Sequence, residues 1–338
     1  MANRIKRYAK KTFLALDNRY NSVKKVYPNS IDYISEENGF YLGVKEVRVI
    51  PESFITELNQ LGYIYHTVDK ASLSGRAIDL ELINPLTGNY MTGSSSGTAL
   101  NVFLGINDVG IGTDGGGSVL APAICLNLYG FIHPRLGKKH QVNEELKVST
   151  DGIPFSPSIG LISKELDHIT KIMTKFFEIS SLPNISIGID NKALQEAAKL
   201  TENEYRSTLI GMDDKYTKDR RGLIVDLEHY LSTFDLVISK EGPVDLNGVG
   251  DSIYGHFSDF TKKKQNIANK GFIRVANMVG AITLTVPSSD LSVGYVLMTK
   301  KESVIPHFLI IGKLLSSGTD ELVNRYFGDL SKYFELGI

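Results

Sequence analysis

The chain has 338 residues and a formal charge of −1, from 37 basic and 38 acidic side chains. This balance excludes a protein that binds nucleic acid through a globally basic surface. The single cysteine, Cys125, excludes an internal disulfide and any metal site built from several cysteines. No stretch of about 18 uninterrupted apolar residues is present, so we expect no membrane-spanning helix.

The N-terminal region is basic, and its longest apolar run covers only residues 13–16. A secretory signal needs an apolar core of about 7–15 residues. We therefore interpret residues 1–35 as a charged, amphipathic helical segment. Since an export signal is absent and only one cysteine is present, we expect a cytoplasmic protein.

Strand and helix patterns then alternate along the chain. Residues 41–50 are rich in β-forming side chains and are closed by Pro51, which opens a helix that stops at Gly62, and a second strand covers residues 63–68. Such a strand–helix–strand unit is typical of a sheet with crossover helices. Further predicted helices cover residues 98–104 and 165–178, and further predicted strands cover residues 109–112, 184–189, 234–239, 281–287 and 295–298.

No low-complexity linker is long enough to separate domains, and there are no internal repeats. Because strands alternate with helices throughout, we interpret residues 1–338 as a single α/β domain. The seven histidines are scattered without metal-ligand spacing, so we expect no metal site.

Two glycine-rich loops that carry serines are the most informative feature of the sequence. The first loop contains Ser94, Ser95 and Ser96 and precedes a helix. The second contains three glycines at residues 115–117 and ends in Ser118, 24 residues after Ser94. Consecutive glycines let backbone N–H groups point into one concavity, as an oxyanion hole requires.

Two other interpretations of these loops remain open at this point, a purely structural role and phosphate binding. A helix N-cap followed by a simple turn explains the same residues. A phosphate-binding loop is disfavoured, because the Gly-Lys-Ser/Thr ending of a P-loop and the glycine spacing of a dinucleotide site are both absent.

Lys45 lies within a largely apolar, β-rich stretch. It is either an exposed charge on an edge strand or a buried base whose pKa is lowered by desolvation. A neutral lysine can accept the proton of a serine nucleophile. Taken alone, the pattern favours the edge strand.

Together these elements resemble the amidase signature family. Residues 92–98 resemble that family's Gly-Gly-Ser-Ser-Gly-Gly-Ser, and residues 112–123 resemble its Gly-Ser-Asp-Thr-Gly-Gly-Ser-Ile-Arg-x-Pro-Ala. Residues 44–46, Val-Lys-Glu, resemble the segment that carries the family's catalytic lysine. The similarity covers about residues 40–315, the expected amidase core. It implies the amidase signature fold, an α/β fold with a large mixed β-sheet core covered by helices on both faces.

The resemblance also implies an activity, that of a serine amidase that hydrolyses a small-molecule or peptide-like carboxamide through an acyl-enzyme and needs no cofactor and no metal. It implies a cis peptide bond between Gly93 and Ser94. The residue roles that it implies are nucleophile for Ser118, bridging serine for Ser94, base for Lys45, oxyanion hole for Gly115, Gly116 and Gly117, and substrate contacts for Ser95 and Asp114.

Three departures from the family pattern keep alternatives open. Leu120 stands where the family usually has arginine, Pro157 lies near the place of a family aspartate, and the interval from Lys45 to Ser94 is short. Lys70 lies in the region of the family's second lysine and is the fallback base. The alternatives are an amidotransferase-type subunit that passes ammonia or an acyl group, and an inactive amidase-fold binding protein. We expect neither nucleic acid nor membrane as a partner, and a homodimer stays open.

Overall fold

The computed structural model describes residues 4–138, 146–178, 184–318 and 320–330. Over these residues the strands are β1 (Val23–Val26), β2 (Phe40–Lys45), β3 (Tyr63–Asp69), β4 (Ile78–Ile83), β5 (Tyr90–Thr92), β6 (Val109–Asp114), β7 (Tyr129–Ile132), β8 (Lys147–Val148), β9 (Pro154–Phe155), β10 (Ser158–Ser163), β11 (Ile187–Asp190), β12 (Ser207–Ile210), β13 (Leu236–Glu241), β14 (Ile282–Pro287) and β15 (Gly294–Thr299).

The helices of the described residues are α1 (Arg4–Asp17), α2 (Glu52–Gln60), α3 (Ser96–Phe103), α4 (Leu120–Cys125), α5 (Leu166–Phe176), α6 (Leu194–Glu202), α7 (Arg220–Thr233), α8 (Asp259–Asn266), α9 (Ile305–Leu315) and α10 (Glu321–Phe327). The predicted N-terminal helical segment, residues 1–35, is only partly correct, because α1 ends at Asp17 and β1 follows within that range. None of the helices in this part of the chain combines the length and the apolar character needed to cross a bilayer.

One mixed sheet of eleven strands, in the order β1-β3-β2-β6-β10-β7-β14-β15-β13-β11-β12, forms the centre of the described structure. β2 is parallel to both β3 and β6, with α2 connecting β2 to β3. The predicted strand–helix–strand unit is therefore confirmed. Since parallel strands end at the same edge of a sheet, the segments that follow β2 and β6 begin side by side.

The predicted strand over residues 41–50 is only partly correct, because β2 ends at Lys45. Beyond it, the N–H of Glu46 donates to the carbonyl of Asp69, and the N–H of Val47 donates to the carbonyl of Lys45. These two bonds turn the chain out of the sheet. Lys45 thus stands at the end of a strand, where the backbone leaves room for a functional side chain.

Both faces of the sheet are covered by helices, as the predicted fold requires. Along β15, Tyr295 and Leu297 join one apolar cluster, whereas Val296 and Met298 join the other, as the two-residue period of a strand dictates. Helices α2, α5 and α9 supply the first cluster, and α3, α4 and α7 supply the second. Cys125 lies in the second cluster, where burial raises the pKa of its thiol to about 12.

Candidate active site

Lys45 and Ser94 form the first half of the site. The buried Nζ of Lys45, on a side chain 3% exposed, donates hydrogen bonds to the Oγ of Ser94 at 2.7 Å and to the Oγ1 of Thr113 at 3.0 Å. Burial lowers the pKa of Lys45 from 10.5 to about 7, although the nearby Asp114 carboxylate acts in the opposite direction. A substantial fraction of the amine is therefore neutral near pH 7 and able to accept a proton from a hydroxyl.

The edge-strand interpretation of Lys45 is wrong, because β2 lies between β3 and β6 within the sheet. Lys70, the fallback base, is engaged elsewhere, since its Nζ pairs with the carboxylate of Glu81. Of these two lysines, the structure places Lys45 against Ser94.

Ser94 follows a turn made by Gly93, which has a φ of +75°. A Cβ at Gly93 would lie 2.7 Å from the Cδ of Pro122, so only glycine fits there. The expected cis peptide between Gly93 and Ser94 is wrong for this structure: among the described residues only Gly242–Pro243 is cis. The left-handed φ of Gly93 makes the turn with a trans bond, the low-energy form for a non-proline residue.

Asp114, at the end of β6, organises the loop that carries Ser118. Its fully buried carboxylate accepts N–H groups from Gly117 at 2.8 Å, Val119 at 2.6 Å and Leu120 at 3.1 Å. Burial raises the pKa of Asp114, while the three amides and Lys45 oppose that rise. These donors satisfy the carboxylate oxygens without a neighbouring arginine, and Leu120 packs fully buried in the second apolar cluster.

The backbone amides of this loop divide into two groups. The N–H of Gly117 donates to Asp114 and is not available to a substrate. The N–H groups of Gly115, Gly116 and Ser118 have no hydrogen-bond partner among the described residues. Of the glycines expected to form the oxyanion hole, Gly115 and Gly116 thus keep an unpaired amide, as Ser118 does, and Gly116 and Ser118 line the cavity described next.

Ser118 is half-buried and lines a cavity of about 300 Å³ together with Gly116 and Gly117. Its carbonyl accepts the N–H of Ser95 at 3.2 Å, which joins the two serine loops. The structure thus brings Lys45 and Ser94 into direct contact and ties the Ser118 loop to them through the backbone. The hydroxyl of Ser118 makes no hydrogen bond to the residues described here.

Ser95 and Asp114, the expected substrate contacts, are fully buried and do not line this cavity. The hydroxyl of Ser95 donates to the carbonyl of Thr113 at 3.4 Å. In this structure both side chains hold the loops rather than face the cavity. No group of three His, Cys, Asp or Glu side chains in the described ranges is arranged to hold a metal ion.

Sequence reasoning missed two features of the site. Thr113 contacts Lys45 and stands directly before Asp114 in the matched motif, so its position was a usable signal. Arg220 lines the cavity from the first turn of α7, far along the chain and outside any motif. Only the tertiary structure could place it there.

Comparison with known proteins points to the family that the two serine loops resemble. The family model described as Amidase matches residues 56–217, a segment that contains both serine loops. A sequence comparison with curated proteins finds no match.

Solved structures with this fold include an amidase family protein from Bacillus anthracis, with a TM-score of 0.58 and 15% identity over 91% of this chain and 87% of that one. A 6-aminohexanoate cyclic dimer hydrolase complexed with substrate has a TM-score of 0.65 and 12% identity, covering 95% and 96% of the two chains. A structure of Kluyveromyces lactis allophanate hydrolase has a TM-score of 0.61 and 14% identity, covering 90% and 68%.

At these identities the solved structures show the fold, and the family model identifies the segment with the serine loops. Residues 56–217 therefore match the amidase family, and the described part of the chain has the fold of solved amidase structures.

Proposed function

We propose that this chain is a serine amidase that hydrolyses a carboxamide through an acyl-enzyme on Ser118. The observation that carries the proposal is the 2.7 Å hydrogen bond from the buried Lys45 amine to the Ser94 hydroxyl, on a loop that is tied to the Ser118 loop. An amine with a pKa of about 7 is suited to serve as a base near neutral pH.

In the acylation step, the Oγ of Ser118 forms a bond to the amide carbon. Its proton passes to the Ser94 hydroxyl, whose own proton goes to the neutral amine of Lys45. The oxyanion accepts hydrogen bonds from the unpaired amides around Gly116 and Ser118. One such donor contributes about 3–4 kcal/mol to the stabilisation of the transition state.

Collapse of this intermediate breaks the C–N bond, and Lys45 returns the proton through Ser94 to the leaving amine. Water then adds to the acyl-enzyme with its proton taken by the same relay. The carboxylic acid leaves, and the hydroxyl of Ser118 is restored. An inactive amidase-fold protein would not need a base of lowered pKa beside unpaired amide donors, so the geometry favours the enzyme.

A fluorophosphonate probe tests the nucleophile directly. We expect one label per wild-type chain, located on Ser118 by mass spectrometry, and none on Ser118→Ala. The exposed Ser232, on α7, offers the control variant Ser232→Ala, which should label as the wild type does.

With a panel of small aliphatic, aryl and amino-acid amides, Ser118→Ala should lower kcat on the order of 10⁴-fold or more. Equal labelling or turnover in Ser118→Ala and the wild type would show that another residue is the nucleophile. Absence of labelling and turnover in the wild type would favour the inactive binding protein.

A further inference from the structure

The charges around the cavity beside Ser118 are strongly unequal. This inference concerns the substrate of the proposed amidase and rests on that proposed function. The described part of the chain contributes six basic side chains and two acidic ones to the lining. They are Lys218, Arg220, Arg221, Lys262, Lys270 and Arg274, with Asp151 and Asp219.

Some of these basic groups are already neutralised by carboxylates. Lys218 pairs with Asp214 at 2.8 Å and with Asp226 at 2.6 Å, and Lys270 pairs with Asp245 at 2.9 Å. These three carboxylates lie outside the lining. Lys218 and Lys270 therefore contribute little net charge to the cavity.

Three other basic side chains have no carboxylate partner among the described residues. Arg221 donates to the carbonyl of Asp151, and Arg274 donates to the carbonyl of Lys218 at 2.8 Å. Lys262 is exposed at the cavity and forms no ion pair with a described residue.

The two acidic side chains of the lining do not offset these charges. Asp219 caps the N-terminus of α7 by accepting the N–H of Gly222, and Asp151 pairs with Arg220. The cavity consequently keeps a net positive charge.

Arg220 is the basic group that faces the catalytic loop. Its Nη1 donates to Asp151 at 2.8 Å, while its Nη2 and Nε have no hydrogen-bond partner in the described ranges. The Nη2 atom lies 3.8 Å from the position that a Cβ of Gly116 would occupy. One edge of a guanidinium is thus open beside the unpaired amide of Gly116.

Arg274 adds a second guanidinium to the lining of the same cavity, close enough to Arg220 for the two charges to interact. Burial and the adjacent charge of Arg220 lower the pKa of Arg274 to about 10, so the group is charged at neutral pH. Two like charges held close together favour a bound anion, because an anion neutralises both.

We propose that the substrate is a small amide that carries a carboxylate, and that this carboxylate binds the open edge of Arg220, with Arg274 and Lys262 adding positive charge. A cavity of about 300 Å³ suits a substrate of only a few heavy atoms on each side of the amide. The carboxylate can belong to the acyl part or to the amine part, and the experiment separates these two sources.

Two matched substrate pairs test the proposal. Succinamate against butyramide places the carboxylate on the acyl part, and N-acetylglycine against N-methylacetamide places it on the amine part. We expect the wild type to prefer the charged member of one pair, and Arg220→Gln to lower that preference in kcat/KM about tenfold or more, mainly through KM. The control is Arg206→Gln, an exposed arginine outside the cavity, which should keep the preference.

The exposed Lys262 supplies a second variant that avoids any folding defect. Lys262→Gln should lower the same preference by a smaller factor, about two- to threefold. If neutral and charged amides are used equally, or if both variants leave the preference unchanged, the carboxylate assignment is wrong.

Binding to Ser118→Ala separates this inference from the proposed function. Calorimetry with succinamate and N-acetylglycine should show binding that Ser118→Ala/Arg220→Gln loses. Such binding without turnover by the wild type would contradict the amidase mechanism and support the carboxylate site. Turnover of neutral amides without selective binding of either carboxylate would support the amidase mechanism and contradict the carboxylate site.

Discussion

At the scale of single residues, the proposed chemistry depends on burying one amine. Lys45 lies at the end of β2, an interior strand of the sheet, where solvent cannot stabilise its charged form, and only Asp114 favours protonation. The pKa of about 7 follows from that balance. The exposed Lys147 adds a further repulsion in the same direction as burial.

The lowered pKa of Lys45 predicts the pH dependence of the rate. Below pH 7 the amine is protonated and cannot accept the proton of the relay, so kcat/KM should fall about tenfold per pH unit on the acid side and level off above about pH 8. The measurement is kcat/KM from about pH 5.5 to 9 with one amide.

Two variants test whether Lys45 causes this pH dependence. Lys45→Met should lose activity at every pH, because methionine supplies no base. Lys199→Met, an exposed change on α6, should keep the wild-type profile. A wild-type rate that is flat between about pH 6 and 8 would contradict the role of Lys45 as the base.

The family resemblance predicted Lys45, Ser94 and Ser118, because each lies in a short motif, whereas the residue pattern around Lys45 alone favoured an exposed edge strand. It did not predict that the amide of Gly117 is taken by Asp114 or that Ser95 is buried. The first contact lies within one loop, but its geometry depends on the backbone conformation of that loop rather than on residue type. The burial of Ser95 arises from contacts with residues of the second serine loop and of the strand before it, which no local pattern encodes.

At the scale of elements, the loop between β6 and α4 holds Ser118 by close packing. Gly117 has a φ of +95°, and a Cβ there would lie 2.9 Å from the carbonyl oxygen of Ile273. Side chains other than hydrogen are therefore excluded both by backbone conformation and by space.

The pair Gly117→Ala and Gly105→Ala isolates the effect of that close contact. Gly105 has a φ of +75° but no atom within 4 Å of its Cβ position, so its substitution costs only the left-handed conformation, about 1–2 kcal/mol. Gly117→Ala should lower the melting temperature further and reduce kcat/KM, because the loop with Ser118 must shift. Equal melting temperatures and equal activity of the two variants would contradict this.

The elements that the sequence predicted are those with a clear period or a clear boundary residue. Helix α4 was missed, because its six residues are all buried and show no polar face. Strands β7 and β10 were also missed as strands, although they lie in the middle of the sheet. A short, fully buried segment carries no alternation from which its state can be read.

At the scale of the whole molecule, the cavity is assembled from distant parts of the chain. The Ser118 loop follows β6, whereas Arg220 begins the helix that precedes β13, and β10, β7, β14 and β15 lie between these two strands in the sheet. Lys215 secures the segment before that helix. Its buried Nζ pairs with Asp190 of β11 and donates to Ser239 at 2.9 Å and to the carbonyl of Lys240 at 2.6 Å.

Removing that anchor should destabilise the molecule strongly. Lys215→Ala leaves the fully buried Asp190 carboxylate without its cation, and we expect a loss of about 3–5 kcal/mol in the free energy of unfolding. Lys192→Ala breaks an exposed pair with Asp213 at 3.3 Å and should cost at most about 1 kcal/mol. Urea unfolding at neutral pH measures both, and losses of similar size would show that Asp190 does not depend on Lys215.

The fold class could be predicted from the sequence because strand and helix patterns alternate and the serine motif resembles a known family. The strand order could not, since neighbours such as β7 and β14 are separated by about half the chain. The division into a single domain stays a prediction.

The buried Cys125 makes it possible to measure how often the apolar core around it becomes exposed to solvent. It is the only thiol in the sequence, and its pKa of about 12 and its place among apolar side chains protect it from reagents while the core is closed. The rate at which a thiol reagent modifies the chain therefore measures how often this core becomes accessible to solvent. Every variant described above can be compared on that scale without attaching any label beforehand.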